Sequence, residues 1–440
     1  MPTNCWFRLI REERTPVTSV SSNRESQLSA CVHCGFCLPT CPTYVLWDEE
    51  MDSPRGRLHL MKAEAEGRVP IGDSFVKRMD ACLGCLACVT ACPSGVQYGP
   101  LIEGTRAVVE TSFRRPFRDR LFRSIIFAVL PYPQRLRLLT APLMVLTPLR
   151  NWLESRRWLT CLPARVRALL RVLPDNTGCS ACQPERTPAQ GSRRSTVGLL
   201  TGCVQRVFFG EVNRATARVL AAEGCEVIAP TGQGCCGALS LHAGREFEAK
   251  AFARRMIASF ERTGVDRVAV NVGGCGSAMK EYGRLFADDP EWAGRAEAFS
   301  ASVRDVSELL TEIGPARASR HRLEARVVYH DACHLVHGQG VRVQPRSLIE
   351  AIPGVTLTEA CEGELCCGSA GIYNLVEPEA AEVLGARKVA ALSALDVDFV
   401  ATGNAGCLLQ LVAAARTAGQ DLRFVHPIQL VDASIRNQTL

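Results

Sequence analysis

Two runs of closely spaced cysteines constrain this chain more than any other feature of its sequence. Each has the form Cys-x2-Cys-x2-Cys-x3-Cys-Pro, first at Cys31, Cys34, Cys37 and Cys41, then at Cys82, Cys85, Cys88 and Cys92. Three thiolates on one tight turn can bind three corners of a 4Fe-4S cubane, while the fourth reaches across to a second cubane. The spacing therefore predicts two 4Fe-4S clusters, held by Cys31, Cys34, Cys37 and Cys92 and by Cys82, Cys85, Cys88 and Cys41. Zinc-binding or merely buried thiols would need neither the length of this motif nor its repetition.

The C-terminal half contains an internal repeat. Its first copy has Cys203, Cys235, Cys236 and Cys275, and its second copy has Cys333, Cys366, Cys367 and Cys407. The offsets between the copies are 130, 131 and 132 residues. In each copy strand-like apolar runs alternate with helical segments, and a final strand is expected to end at the last cysteine. This alternation predicts two α/β domains with mostly parallel sheets. Cysteines at strand ends would lie where open α/β sheets bind their ligands.

The cysteines of each repeat indicate metal binding without specifying the metal. An adjacent Cys-Cys pair does not easily span an ordinary cubane, but it can bridge two metals or bind an open, non-cubane cluster. With the two outer cysteines it could also complete a four-thiolate zinc site. Further clusters, zinc or no metal therefore stay open for the eight cysteines of the two repeats.

Residues 111–171 differ from the rest of the chain in composition. They hold 13 arginines, no lysine and two acidic residues, a local charge of +11 (13 − 2) in a chain of net charge +6. Apolar residues are interleaved with the arginines at near-helical spacing. Breaks are expected at Pro131, Pro133, Pro142 and Pro148. Such basic amphipathic helices can lie on an anionic membrane or bind a partner, although packing against the metal domains is the ordinary alternative.

Together these features predict a multidomain α+β protein. The expected parts are an extension (1–27), a helical ferredoxin-type domain (28–110), a basic amphipathic helical segment (111–173), a linker (174–195) and two cysteine-rich repeats (196–320 and 321–440). No apolar run approaches the ~18 residues of a membrane-spanning helix, and no signal peptide is evident. A cytoplasmic location follows as the default, in which clustered cysteines are metal ligands rather than disulfides. Nucleic-acid binding is not expected, because the arginines are not accompanied by exposed aromatic residues.

Several stretches carry a resemblance to a known family. They are residues 30–44, 52–57, 92–96, 274–283 and 365–371. The chain resembles the CCG-domain iron–sulfur family, which includes heterodisulfide reductase subunits, and within it the iron–sulfur subunits of glycolate oxidase (glycolate dehydrogenase). The resemblance implies an electron-transfer subunit with no flavin of its own. Its partners would be FAD-binding subunits that oxidise glycolate, and its acceptor a quinone or another oxidant.

The chain departs from one branch of that family. Catalytic heterodisulfide reductase subunits end each repeat with Cys-x-x-Cys, whereas Ala278 and Gln410 stand where the second cysteine would be. This argues against disulfide reduction, although a heterodisulfide-reductase-like catalytic subunit is retained as an alternative. D-Lactate and glycerol 3-phosphate stay open as alternative electron donors, because metal-binding residues cannot distinguish them from glycolate.

Weaker candidates surround the repeat cysteines. His242 and Tyr373 each follow a Cys-Cys-Gly turn by five residues, and His330, His334 and His337 flank Cys333. The histidines near Cys333 could support or supplement the metal ligands, although packing roles are the default. Cys225 and Cys361 do not align between the repeats. Cys5, Cys161 and the pair Cys179-x2-Cys182 lie outside the pattern.

Overall fold

The computed structural model describes residues 21–145, 147–156, 158–174 and 183–440. Its N-terminal part consists of helices and loops. The helices are α1 (Ser21–Ser29), α2 (Pro42–Trp47), a 3-10 helix (Glu50–Asp52), α3 (Pro54–Ala65), α4 (Asp73–Asp80), α5 (Ala87–Thr90) and α6 (Tyr98–Ser112). Helix α3 begins at a strong N-terminal signal, since the Ser53 side chain accepts a hydrogen bond from the Gly56 amide and Pro54 takes the first helical position. Buried Met61, Met79 and Ile102 join α3, α4 and α6 in one core.

The basic segment folds into four further helices that continue from this domain. They are α7 (Phe117–Val129), α8 (Pro133–Val145), α9 (Thr147–Ser155) and α10 (Ala164–Val172), with a 3-10 helix (Trp158–Cys161) before the last. The expected break at Pro142 is wrong, because this proline lies inside α8. It stands about one turn from the helix end, where a missing amide costs a single hydrogen bond. Among the described residues, no helix is long and apolar enough to cross a membrane.

The first repeat is built around a five-stranded sheet. Its elements are β1 (Arg186–Thr187), β2 (Ser195–Leu199), α11 (Val204–Phe208), α12 (Gly210–Ala222), β3 (Cys225–Ile228), α13 (Ala238–His242), α14 (Glu246–Glu261), β4 (Arg267–Val270), α15 (Gly273–Lys280), α16 (Tyr282–Leu285), α17 (Ala293–Ser302), β5 (Val303–Asp305) and α18 (Val306–Glu312). The strand order is β1-β3-β2-β4-β5, and only β1 is antiparallel to its neighbour. The predicted linker thus contributes its last part to this sheet, since β1 and the start of β2 fall within residues 174–195.

The second repeat has a four-stranded sheet in which every pair is parallel. Its elements are β6 (Ala325–Tyr329), α19 (Cys333–Gln339), α20 (Val343–Glu350), β7 (Val355–Glu359), α21 (Tyr373–Val376), α22 (Pro378–Ser393), β8 (Phe399–Ala401), α23 (Ala405–Thr417), β9 (Phe424–Val425) and α24 (Pro427–Arg436). The strand order is β7-β6-β8-β9. The predicted pair of α/β repeats with mostly parallel sheets is therefore confirmed.

The parts of the chain pack against one another extensively. One apolar cluster contains strand residues of both sheets, so the two repeats share a core. The Arg218 guanidinium of α12 donates to the buried Asp432 carboxylate of α24 at 2.6 Å across this contact. On the other side, Ile126 and Phe127 of α7 pack with Val376 of the second repeat. The helical part of the chain therefore packs directly against the repeats.

Candidate functional site

The eight N-terminal cysteines line two neighbouring cavities. The first, of about 420 Å³, is lined by Cys31, Cys34, Cys37, Cys88 and Cys92, and the second, of about 310 Å³, by Cys41, Cys82, Cys85 and Cys88. The first cavity thus gathers three cysteines of the first run with Cys88 and Cys92 of the second, and the second cavity gathers three cysteines of the second run with Cys41 of the first. Because Cys88 borders both cavities, the two sites are direct neighbours. Four thiols are the donor set of a 4Fe-4S cluster, and the cysteines that line each cavity fit that group.

Backbone turns hold the thiols toward the cavities. Gly35 and Gly84 have φ angles of 85° and 64°, in the left-handed region that glycine adopts without strain. The turn at Gly84 directs its amide to the Cys82 sulfur at 3.3 Å, and the Tyr98 hydroxyl donates to the same sulfur at 3.6 Å. Hydrogen bonds of this kind stabilise a thiolate and help set a cluster's reduction potential.

Two arginines give the second cavity a positive environment. Arg57 lines it and is 1 % exposed, with its Nε donating to the Arg78 carbonyl at 2.7 Å. Arg106 donates to the carbonyl oxygens of Cys82 and Met79. Burial alone would raise the pKa of the Cys82 thiol, but the charges of Arg57 and Arg106 lower it below its usual value. Cys82 is therefore prepared to bind metal as a thiolate. The motif spacing contained no signal for either arginine.

The second cavity lies against the second repeat. Cys85 and Cys366 belong to the same buried cluster, and Cys333 packs on it. Burial and the nearby Cys333 sulfur raise the pKa of Cys85 well above its usual value. Helix α19 also reaches the cavity loop, where the His334 Nε2 lies 2.8 Å from the Gly84 carbonyl oxygen. The thiols of the second repeat are thus the neighbours of the second ferredoxin-type site.

Each repeat brings its four cysteines into one buried group. In the first repeat the Cys203 and Cys235 sulfurs are 3.7 Å apart, and Cys236 hydrogen-bonds both Cys235 and Cys275. In the second, the same chain of contacts runs through Cys333, Cys366, Cys367 and Cys407. Hydrogen bonds from their neighbours lower the pKa of Cys236 and of Cys367 well below the usual thiol value. Four converging thiols are a donor set that suits zinc or iron.

The last cysteine of each repeat is placed differently from the sequence prediction. The strands β4 and β8 end at Val270 and Ala401, before the cysteines are reached. Cys275 and Cys407 instead occupy the first turn of α15 and α23. The unpaired amides of a helix N-terminus favour negative charge. The hydrogen bonds with Cys236 and Cys367, together with burial, nevertheless raise the pKa of Cys275 and of Cys407 well above the usual thiol value.

A polar contact that the sequence did not reveal joins the helical domain to the first repeat. The Glu103 carboxylate of α6 lies 2.9 Å from the His242 Nδ1 and accepts a hydrogen bond from Arg284 at 2.8 Å. Burial raises the pKa of Glu103, but the hydrogen bonds with His242 and Arg284 outweigh it and lower the pKa to about 2. The His242 ring in turn packs edge-on against the His334 ring, with 4.9 Å between centroids. His242 therefore bridges three parts of the chain.

The remaining cysteines and candidates are dispersed. Cys225 is fully buried in β3, Cys161 and Cys361 are exposed, and Tyr373 packs beside Cys366. Cys5, Cys179 and Cys182 lie outside the described residues. Of the histidines, His330 stands out, because its ring nitrogens, the Cys367 sulfur and the Cys407 sulfur lie within 4.8 Å of one another.

The fold and the cysteine sites define a class: an iron–sulfur protein with a dicluster domain and two cysteine-rich domains. Residues 27–96 match the family described as 4Fe-4S dicluster domain, and residues 197–280 and 327–412 match the CCG cysteine-rich domain. The chain belongs to the family of glycolate oxidase iron–sulfur subunits. It is 37% identical to the probable glycolate oxidase iron-sulfur subunit of Bacillus subtilis, over 88% of this chain and 89% of that protein. It is 35% identical to the glycolate oxidase iron-sulfur subunit of Escherichia coli, over 94% and 96%.

A shorter relative matches about half of the chain. Lactate utilization protein A of Oceanobacillus iheyensis is 28% identical over 54% of this chain and 96% of its own length. The family and the dicluster domain establish the chain as an iron–sulfur electron-transfer subunit of an oxidoreductase.

Proposed function

We propose that this chain is the electron-transfer subunit of a glycolate dehydrogenase, holding two 4Fe-4S clusters between a flavoprotein and an electron acceptor. The observation that carries the proposal is the pair of adjacent cavities, each with cysteines of both runs. Cys31, Cys34, Cys37 and Cys92 would hold one cluster, and Cys82, Cys85, Cys88 and Cys41 the other. When bound, such clusters supply one-electron chemistry. The choice of glycolate rests on the names of the two relatives that match almost the whole chain.

The partner is an FAD-binding subunit that takes a hydride from glycolate, and the acceptor is a quinone. This division of labour follows because a chain that holds only one-electron centres cannot itself take up a hydride. D-Lactate is the second candidate donor, supported by the similarity to lactate utilization protein A.

Co-expression with the flavoprotein tests the proposal. The complex should copurify, contain about eight irons per copy of this chain in its two ferredoxin-type sites, and reduce an electron-accepting dye with glycolate faster than with D-lactate or glycerol 3-phosphate. Cys34→Ser should abolish dye reduction, whereas Cys361→Ser, a change at an exposed cysteine, should leave it unaltered. If no flavoprotein copurifies and glycolate supports no reduction, the proposal fails.

The basic segment supplies a second contact, with the inner face of the cell membrane. Phe117, Leu121 and Ile125 recur every four residues along α7 and are 66%, 49% and 53% exposed. Exposed arginines accompany this row, and Leu138 and Leu139 continue the apolar surface on α8. An apolar row flanked by arginines matches an anionic lipid surface in both polarity and charge. Bound there, the subunit would lie close to a quinone in the bilayer.

A further inference from the structure

The second repeat contains a buried histidine that the first repeat lacks. His330 directly follows β6, and Leu200 directly follows β2. The two positions are structurally equivalent, because the Leu200 amide donates to the Ala269 carbonyl at 3.0 Å and the His330 amide donates to the Ala401 carbonyl at 2.8 Å. The second repeat therefore has an imidazole beside its four thiols, at the position where the first repeat has the apolar side chain of Leu200.

The His330 ring faces the thiols rather than solvent. The residue is 1 % exposed, and a ring nitrogen lies within 4.8 Å of the sulfurs of Cys367 and Cys407. Among the described residues neither ring nitrogen has a nitrogen or oxygen partner. The polar group beside the ring is the Cys367 thiol, and hydrogen bonds from Cys366, Cys407 and His330 together lower the pKa of Cys367 well below its usual value. An imidazole and thiols that face one another in a buried site can bind a metal ion in place of protons.

A buried ammonium group lies beside the same thiols. Lys388 of α22 is 3 % exposed, and it donates to the carbonyls of Glu362 and Gly363. The pKa of Lys388 is lowered by burial, while the nearby sulfurs of the second repeat act to raise it. Helices α14 and α22 pack equivalently on their Cys-Cys-Gly turns, and at an offset of 132 residues the first repeat has the buried Met256 in this place. The Lys388 ammonium can therefore balance negative charge on the thiols of the second repeat, whereas Met256 cannot do so in the first repeat.

We propose that His330, Cys367 and Cys407 are ligands of a metal centre in the second repeat with mixed nitrogen and sulfur coordination. The inference goes beyond the proposed function, which concerns the two ferredoxin-type sites. The metal is one that accepts imidazole together with thiolate, either zinc or the iron of an iron–sulfur centre. On binding, the two thiols lose their protons and the neutral imidazole supplies a lone pair. Either Cys333 or Cys366, which adjoin these ligands, completes a set of four donors, so the imidazole takes the place of one thiolate.

The two repeats are then unequal. The first repeat has Leu200 in place of His330 and can bind a metal through its four thiols alone, while His242, which lies near Cys236, pairs with Glu103 through its Nδ1. A centre held by four thiolates would carry more negative charge. Replacing thiolate by imidazole on iron raises the reduction potential of a cluster. If the metal is iron, the second centre therefore has the higher potential of the two, and it is also the one beside Cys85 of the second ferredoxin-type cavity.

The isolated full-length chain, purified anaerobically, provides the test without glycolate or a flavoprotein. Iron, zinc and sulfide are counted per chain, and the ligands are read by electron–nuclear double resonance for iron and by X-ray absorption for zinc. His330→Leu introduces the side chain found at the equivalent position 200, so it should fold, and it should lose the nitrogen signal while its four thiols bind the metal with sulfur ligands only. His330→Cys should keep the metal with sulfur ligands only. His337→Leu, in the following helix α19 and hydrogen-bonded to Thr90, should change neither.

The outcomes distinguish zinc from iron as the bound metal, and they distinguish a failure of the ligand assignment from a failure of the proposed function. A nitrogen ligand seen on zinc or on iron, and lost in both His330→Leu and Cys407→Ser, supports the ligand assignment and identifies the metal. An all-sulfur centre in the unaltered protein, a nitrogen signal that persists in His330→Leu, or no metal in the second repeat would overturn it. A chain with the nitrogen ligand that receives no electrons from glycolate would leave the assignment intact and overturn the proposed function.

Discussion

At the scale of single residues, Glu103 shows how a buried charge fixes the position of a metal-binding domain. Its carboxylate has ion-pair partners in His242 and Arg284, both in the first repeat, while its own helix belongs to the cluster-binding part. A buried carboxylate is costly unless it is paired, so this contact specifies one orientation of α6 on the repeat.

Glu103→Gln should therefore weaken the protein. The amide keeps the size of the side chain but loses both charge-assisted bonds, at a cost of about 1–3 kcal/mol. Urea unfolding followed by circular dichroism measures the change. The matched control is Glu281→Gln, since Glu281 pairs with the same Arg284 but is 47% exposed, and it should change the free energy of unfolding by less than about 1 kcal/mol. Equal effects of the two changes would show that Glu103 has no special role at the domain contact.

At the scale of elements, the turn between α13 and α14 sets how closely the helical domain approaches the first repeat. Gly244 has a φ of 79°, and a Cβ atom there would overlap the backbone of Arg106 in α6. Arg106 in addition donates from its side chain to the His242 carbonyl at 2.9 Å. The absence of a side chain at Gly244 is therefore a condition for this packing.

Gly244→Ala should loosen the domain contact. Gly264 provides the control, because its φ is 61° and a Cβ there would meet nothing within 4 Å. Both changes incur the roughly 1 kcal/mol cost of a left-handed alanine, but only Gly244→Ala must also displace backbone, which we expect to cost about 3 kcal/mol or more in total. Limited proteolysis between the domains and urea unfolding measure the difference. Indistinguishable behaviour of the two variants would contradict the close-packing explanation.

The elements that the sequence predicted well are those with a strong local pattern. The 130-residue repeat located the sheets because each copy supports the other, and the predicted alternation of strands and helices is present in both copies. The short strands β1, β5 and β9 were missed, since two or three residues carry too little periodicity. Pro142 was taken as a helix end because sequence alone does not show that a proline near a C-terminus is tolerated.

The metal sites were predictable to the extent that spacing encodes them. The crossed grouping of the eight N-terminal cysteines stays a prediction, and the two cavities, each lined by cysteines of both runs, are compatible with it. The charged residues around the sites could not be predicted from the spacing, because tertiary packing brings Arg57, Lys388 and Glu103 to their places. His330 was only one of three histidines near Cys333, and its neighbours Cys367 and Cys407 are 37 and 77 residues away along the chain.

At the scale of the whole molecule, the cysteine sites form a continuous series. The first cavity meets the second at Cys88, and the second meets the second repeat at Cys85. Helix α7 of the basic segment packs its buried face against Val376 of the second repeat. This arrangement leaves the apolar row of α7 exposed at the surface of the molecule.

Phe117→Asp should consequently weaken binding to anionic vesicles. Placing a carboxylate in the apolar row both removes apolar contact area and repels anionic lipid, so we expect at least a tenfold loss of affinity, about 1.4 kcal/mol. Cosedimentation with phosphatidylglycerol vesicles measures it, and the binding of the unaltered chain should fall with added salt and be weak with phosphatidylcholine. Phe247→Asp is the matched control, because Phe247 is 83% exposed on α14 and lies outside the basic segment. If the two variants bind alike, or if the unaltered chain ignores anionic lipid, the exposed row of α7 has another purpose, and contact with the flavoprotein is then the surface to examine.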